Sequence, residues 1–276
     1  MEQSEFNWRT KDGLKIFAKV WKPEKEAKGV ICLVHGMGEH SSRYQHLAEF
    51  YINKGFAVIA NDHRGHGKSE GKRGHTVSYD KLLLEISRLI EEADIRFPRT
   101  PIFIYGHSLG GNLVLNYLLK EKPDVKGVII TSPWIKLAFE PSKVLIMLGK
   151  LSRKIAPSFT QSSKLNASHI SRNKKVVEKY TNDPLVHDQI SSEMGMSIMD
   201  AGDWLLNGKK KTHVPLLLMH GSGDQITSFE TSKQFSSNIE GDVTFKEWEG
   251  FYHEIHNEEE QADVFNYTWD WITSKF

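Results

Sequence analysis

The sequence predicts an α/β fold: a mostly parallel central sheet with helices on both faces and an inserted, mainly helical cap. Short apolar runs of strand length alternate with helical periodicity from the N-terminus to Pro133. The alternation stops there and resumes at Val214. The stretch Ile102-Phe103-Ile104-Tyr105-Gly106-His107-Ser108-Leu109-Gly110-Gly111 then passes from apolar strand to helix without a gap. The sheet-bearing core is therefore expected in two parts, residues 1–133 and 213–276, with residues 134–212 as the cap.

Each element follows from its own residues. Glu5 to Thr10 and Leu14 to Trp21 read as two strands joined at Lys11-Asp12-Gly13, since Asp-Gly is a strong hairpin signal. Val30 to Val34 is a continuous apolar strand of the kind buried inside a sheet. The loop His35-Gly36-Met37-Gly38-Glu39-His40 follows, then a helix to about Lys54 and a strand from Phe56 to Ala60. A second polar, glycine-rich loop runs from Asn61 to Gly71. Ser78 stands where it can cap a helix over Tyr79 to Arg96, whose Leu82, Leu83, Ile86, Leu89 and Ile90 form one apolar stripe ended by Pro98. Gly127 to Thr131 is the next strand. From Trp134 to about Thr212 there are helical segments and polar loops but no clear strand. Val214 to His220 and Val243 to Trp248 read as strands. Between them lies a helix over Phe229 to Ile239 with a capping box in Thr227 and Glu230. A last helix is expected from about Glu258 to Ser274.

Composition excludes several classes of function. With 36 basic and 35 acidic residues the 276-residue chain carries a formal charge of +1. Its longest basic run, Lys209-Lys210-Lys211, reads as a solvated loop, so nothing calls for a nucleic-acid partner. The single cysteine, Cys32, sits in an apolar run and reads as core. The start Met1-Glu2-Gln3-Ser4-Glu5 lacks the features of a secretory signal, and no apolar run nears the ~18 residues of a membrane span. A cytoplasmic location is expected. Gly67-Lys68-Ser69 has Asp62 where a phosphate-binding loop needs glycine, and Gly65-His66-Gly67 has Glu70 where a dinucleotide loop needs its third glycine. His-Glu-x-x-His is absent despite 13 histidines. No metal and no cofactor are expected.

The motif Gly106-His107-Ser108-Leu109-Gly110 has the form of a nucleophile elbow, with the serine on a strained turn at a helix N-terminus. Three fixed positions would match by chance about 0.1 times in such a chain, so the flanking strand and helix carry the assignment. In open α/β sheets, reacting groups collect beyond the carboxyl ends of the strands. Asp224 follows one strand in Gly221-Ser222-Gly223-Asp224, and His253 follows another in Gly250-Phe251-Tyr252-His253. Ser108, Asp224 and His253 are the expected nucleophile, orienting acid and general base, in the chain order of α/β-hydrolases. Backbone N–H groups of Leu109 and Met37 are the expected oxyanion donors.

Several motifs together carry a family resemblance: His35-Gly36-Met37-Gly38-Glu39-His40 with Ser41-Ser42-Arg43-Tyr44, Asp62-His63-Arg64-Gly65-His66-Gly67-Lys68-Ser69-Glu70-Gly71, the elbow, Asn182-Asp183-Pro184-Leu185 and Tyr252-His253-Glu254-Ile255-His256. On them the chain closely resembles the monoacylglycerol lipase and lysophospholipase branch of the α/β-hydrolases. The resemblance implies an α/β-hydrolase fold and hydrolysis of a monoacylglycerol, or a related lipid ester, to glycerol and a fatty acid. By position it implies that Glu39, Arg43 and His256 line the polar end of the substrate site. It also implies that Arg64 and His66 brace their loop. Some relatives carry a cysteine where this chain has Thr227, so thiol-directed inhibition through that position is expected to fail. The cap run Val144, Leu145, Ile146, Met147, Leu148, Leu151 and Ile155, set among Lys143, Lys150, Arg153 and Lys154, suits a tunnel mouth and a peripheral contact with lipid surfaces. A lysophospholipase, a short- or medium-chain carboxylesterase, and a non-catalytic binding module of this fold are the competing readings.

Overall fold

The computed structural model describes residues 2–276. The chain opens with strands β1 (Glu2–Arg9) and β2 (Lys15–Lys22), followed by β3 (Gly29–Val34), α1 (Gln45–Asn53), β4 (Phe56–Asn61), α2 (Tyr79–Arg96), β5 (Ile102–His107), α3 (Leu109–Glu121) and β6 (Gly127–Thr131). After the inserted segment come β10 (Leu216–Gly221), α7 (Phe229–Asn238), β11 (Ile239–Glu240), β12 (Val243–Trp248) and α8 (Gln261–Thr273). Eight of these strands form one sheet in the order β1-β2-β4-β3-β5-β6-β10-β12. Pairing is antiparallel for β1 with β2 and β2 with β4, and parallel from β4 to β12.

The period of two in the strands distributes the core between the two faces. On β3, Val30, Cys32 and Val34 point toward α2 and α3, while Ile31 and Leu33 point toward α1 and α8. The same alternation divides Ile102 and Ile104 from Phe103 and Tyr105 on β5, and Leu216 and Leu218 from Leu217 and Met219 on β10. The expected parallel sheet with helices on both faces is therefore present. Cys32 is fully buried, and burial pushes its thiol pKa far up.

The segment between β6 and β10 departs from the sequence reading. It contains α4 (Lys143–Ile155), β7 (Thr160–Ser162), α5 (Lys174–Asn182), β8 (Gln189–Ser191), α6 (Ser192–Leu206) and β9 (Lys210–Lys211). β7 and β8 pair antiparallel, although Thr-Gln-Ser and Gln-Ile-Ser carry no apolar alternation. Lys210 and Lys211, expected in a loop, pair with β11. The Thr227–Glu230 capping box is also corrected: Ser228 caps α7 by accepting from Thr231 N, because the Thr227 hydroxyl turns to Asp224 instead. Ser78 precedes α2 as expected, but its side chain makes no capping bond. The last helix begins at Gln261, three residues later than expected.

α6 docks on the core where Gly202 meets the Ile135 carbonyl with no room for a side chain, and Asn112 Nδ2 donates to the Trp134 carbonyl beside it. α4 has no buried residue; Val144, Met147, Leu151 and Ile155 are each more than half exposed. His187 N donates to Gly38 O and His40 Nε2 meets Asp183 Oδ2 at 2.9 Å, tying the inserted segment to the loop after β3. Among the described residues no helix is long and apolar enough to cross a membrane.

The loop after β4 lies under the one after β3. Asp62 accepts from Ser41 N, Ser41 Oγ and Lys68 N, and Arg64 reaches Glu85 on α2 at 2.6 Å and Asp12 in the first hairpin at 2.9 Å. Arg64 and Glu85 are both nearly inaccessible to solvent. Arg64→Ala strands the Glu85 carboxyl in the core and should cost ~3–5 kcal/mol, read as a lower urea midpoint. An unchanged midpoint would show that the pair does not brace this loop.

Candidate active site

β5 must turn into α3 within one residue, and that residue is Ser108, with φ 54° and ψ −114°. Side chains rarely adopt such backbone, which costs about 1–3 kcal/mol and persists only where its surroundings enforce it. Here the enforcement is close approach. A Cβ on Gly110 would overlap the carbonyls of Val34 and His35, and one on Gly106 would press on Gly110 O and Val114. The first turn of α3 therefore lies directly against the end of β3. Its N–H groups have no partner within the helix, and its dipole favours negative charge beside Ser108.

Ser108, Asp224 and His253, expected together from sequence, do meet. Ser108 Oγ lies 2.9 Å from His253 Nε2, and His253 Nδ1 lies 2.7 Å from Asp224 Oδ2. The three sit beyond the ends of β5, β10 and β12, and all are buried. Asp224 Oδ1 accepts from the backbone N–H of Ile226 and Thr227, and Oδ2 also receives Thr227 Oγ1 at 2.9 Å. Burial opposes ionisation of Asp224, but His253 and His220 outweigh it and hold the carboxyl far below its usual range. Burial likewise opposes the charged form of His253, and the adjacent Asp224 outweighs it, so its pKa lies above the ordinary value. His107, whose ring centroid is 4.8 Å from that of His253, is pushed down by burial to about 3 and adds no positive charge. The Ser132 hydroxyl donates to His253 O at 2.7 Å and fixes the backbone beneath the imidazole.

Leu109 and Met37 are the expected oxyanion donors. Leu109 is the first residue of α3, and Met37 lines the same cavity as Gly36, Ser108 and His253. Gly36 N is held by Glu39 Oε1 at 2.7 Å, which also accepts from Tyr44 OH at 2.6 Å. Glu39 lines the cavity; Arg43 and His256 do not, which corrects the expectation that all three do. Arg43 is drawn inward by two carboxylates: it grips Glu254 with Nη1 at 2.6 Å and Nη2 at 2.8 Å, and Glu39 with Nη1 at 2.6 Å. Burial raises the pKa of both acids, but this two-pronged grip brings Glu254 down to about 2, while Glu39 stays raised. His256 is buried behind them, stacked on Tyr44 with centroids 4.9 Å apart. Tyr180, not singled out from sequence, packs against the Arg43 guanidinium and lines the cavity. The sequence reading assigns no role to His220 or Glu254, and takes Thr227 only as a helix cap and as the counterpart of a cysteine in some relatives. For His220 the available signal was a histidine at the very end of a buried strand, four residues before the acid.

The cavity that Ser108 and His253 face measures about 1250 Å³. Its wall is largely apolar, with Trp134, Leu137, Leu145, Leu148, Leu151 and Ile226 among its residues. Among the described residues the carboxylates along it are Glu39, Asp188 and Glu254, and the only lysine or arginine is Lys164. No cluster of side chains suited to a metal ion occurs among the described residues.

The family described as serine aminopeptidase, S33, matches residues 25–260. The monoacylglycerol lipase of Mycolicibacterium smegmatis is 31% identical over 99% of this chain and 98% of its own length. An abhydrolase domain-containing protein of Dictyostelium discoideum is 37% identical over 100% of this chain, which spans only 29% of that longer protein. The crystal structure of Paleococcus ferrophilus monoacylglycerol lipase superposes with a TM-score of 0.84 at 34% identity, covering 100% of both chains.

Two outcomes follow from this geometry. Gly110→Ala pushes α3 away from β3 and should lower the rate of fluorophosphonate labelling of Ser108 by at least about a hundredfold; near-normal labelling would mean the approach is not needed. Only the neutral imidazole can take the serine proton, so the labelling rate must rise with pH. Its midpoint should lie above the ordinary histidine value of 6.5, and one below that value would contradict the Asp224–His253 pairing.

Proposed function

The chain belongs to the serine aminopeptidase, S33 family, and from that premise we propose that it is a serine carboxylester hydrolase cleaving monoacylglycerols to glycerol and fatty acid. The single observation that carries this reading is the Ser108–His253–Asp224 chain of hydrogen bonds opening into a large apolar cavity. Ser108 Oγ attacks the ester carbonyl while His253 Nε2 takes its proton. The N–H groups of Met37 and Leu109 hold the oxyanion, aided by the α3 dipole. The tetrahedral intermediate collapses as His253 returns the proton to the departing glycerol oxygen. Water then attacks the acyl carbon while His253 takes its proton, and the second tetrahedral intermediate collapses as His253 returns that proton to Ser108 Oγ, releasing the fatty acid.

The cavity chemistry favours a neutral head group. Arg43 is taken up by Glu39 and Glu254, so little is in place to hold a phosphate, which argues against a lysophospholipid of net negative charge. Glu39 is engaged by Gly36 N–H, Tyr44 and Arg43, and Glu254 by Arg43 and Asn257. In this reading Glu39 meets the glycerol hydroxyls directly, while Arg43 and His256 support it from behind. The exposed apolar face of α4, continuous with the cavity lining at Leu145, Leu148 and Leu151, would rest on the lipid surface from which substrate enters.

The test is turnover of a monoacylglycerol series from C8 to C18 against the matching lysophosphatidic acids and di- and triacylglycerols. Monoacylglycerols should be preferred by about tenfold or more, and Ser108→Ala should abolish turnover. Equal or better cleavage of the lysophospholipids would refute the head-group argument.

A further inference from the structure

Asp224 serves two histidines. His253 Nδ1 lies 2.7 Å from its Oδ2, and His220 Nε2 lies 2.9 Å from the same oxygen. His220 is the penultimate residue of β10 and is completely buried, so its ring is fixed by the sheet rather than by the loop that carries the acid. The far end of the ring is anchored as well, with Nδ1 2.8 Å from Ser232 Oγ on α7 and the Phe229 ring packed edge-on at 5.9 Å. An ionised carboxylate only accepts hydrogen bonds. Both Nε2 of His220 and Nδ1 of His253 must then carry a hydrogen pointed at Oδ2.

We propose that His220 is a positioning residue for the ester hydrolysis assigned above: by sharing Asp224 Oδ2 with His253 it both aims the carboxylate and sets how strongly His253 is held in its charged form. The inference rests on the proposed triad but not on the choice of substrate. A carboxylate oxygen that already accepts one strong donor is a weaker partner for the next, because its charge is divided between them. Thr227 Oγ1 makes a third donor on that oxygen, and two backbone N–H groups occupy Oδ1. The acid is thus fully engaged, and His253 receives only part of its charge. Removing the His220 donor returns that charge to His253 and makes the imidazole harder to deprotonate.

The other groups facing His253 do not move with His220. They are Glu254 and Glu39, which favour its charged form, and His107 and His256, both held neutral by burial. Arg43 stands beyond the two glutamates and is neutralised by them. Facing His220 itself are Asp224 from its own loop, Thr227 and Ser232; of these only Asp224 titrates.

The test is the pH dependence of fluorophosphonate labelling at Ser108, which needs no knowledge of the natural ester. His220→Leu keeps the site filled but donates nothing. It should raise the midpoint of the ascending limb by about half to one unit, lowering the rate below the midpoint by roughly three- to tenfold. In His220→Gln the amide Nε2 stands as many bonds from the backbone as the ring Nε2, so it should restore the midpoint. Ser232→Ala leaves the ring but frees its far end, and should shift the midpoint upward by less. If His220→Leu does not fold, Ser232→Ala decides the matter. An unshifted midpoint in the folded variants, or His220→Gln behaving as His220→Leu does, overturns the proposal. Labelling that follows this pattern without monoacylglycerol turnover would instead leave His220 in place and refute the substrate.

Discussion

At the elbow, the backbone of α3 lies so close to the ends of β3 and β5 that Gly106 and Gly110 have no room for a Cβ. That contact forces Ser108 into its positive-φ turn and brings the unpaired N–H groups of the first helical turn against the loop that begins at His35. Ser108 and the unpaired N–H groups beside it are thus placed by backbone geometry that the sheet imposes. Parallel order then does the rest. β5, β6, β10 and β12 are adjacent in the sheet and end on the same side, so loops distant in sequence deliver Ser108, Asp224 and His253 to one point.

Charge is managed differently on the two sides of the serine. Behind His253, Asp224 accepts five hydrogen bonds, which keeps the acid ionised where burial alone would neutralise it. On the other side, Arg43 satisfies two buried glutamates at once, and one of them fastens the N–H of Gly36 in the loop that carries Met37. A lone carboxylate in that position would be costly and would repel an oxyanion. Paired, it becomes a rigid polar corner in an otherwise apolar cavity.

The core strands were legible because their apolar runs are short, continuous and punctuated by glycine-rich loops. Ser108, Asp224 and His253 could be brought together from the sequence because each follows such a run. What stayed hidden was decided by tertiary contact. Thr-Gln-Ser and Gln-Ile-Ser have no strand pattern of their own and pair only because the inserted segment brings them together. Thr227 has a good capping residue's chemistry but is claimed by Asp224, leaving the cap of α7 to Ser228. Nothing in the linear order says that Arg43 will be held by Glu254, 211 residues away. His220 passed for the end of a strand because the partner that gives it meaning belongs to the following turn.

The central claim is that an ester's acyl group passes through Ser108. It is tested most directly by rapid-quench mass spectrometry of the protein mixed with a long-chain monoacylglycerol. The account predicts a transient mass increase equal to one acyl group, located on the peptide that contains Ser108 and absent from Ser108→Ala. Turnover with no acylated species at Ser108, or an adduct on another residue, would contradict it.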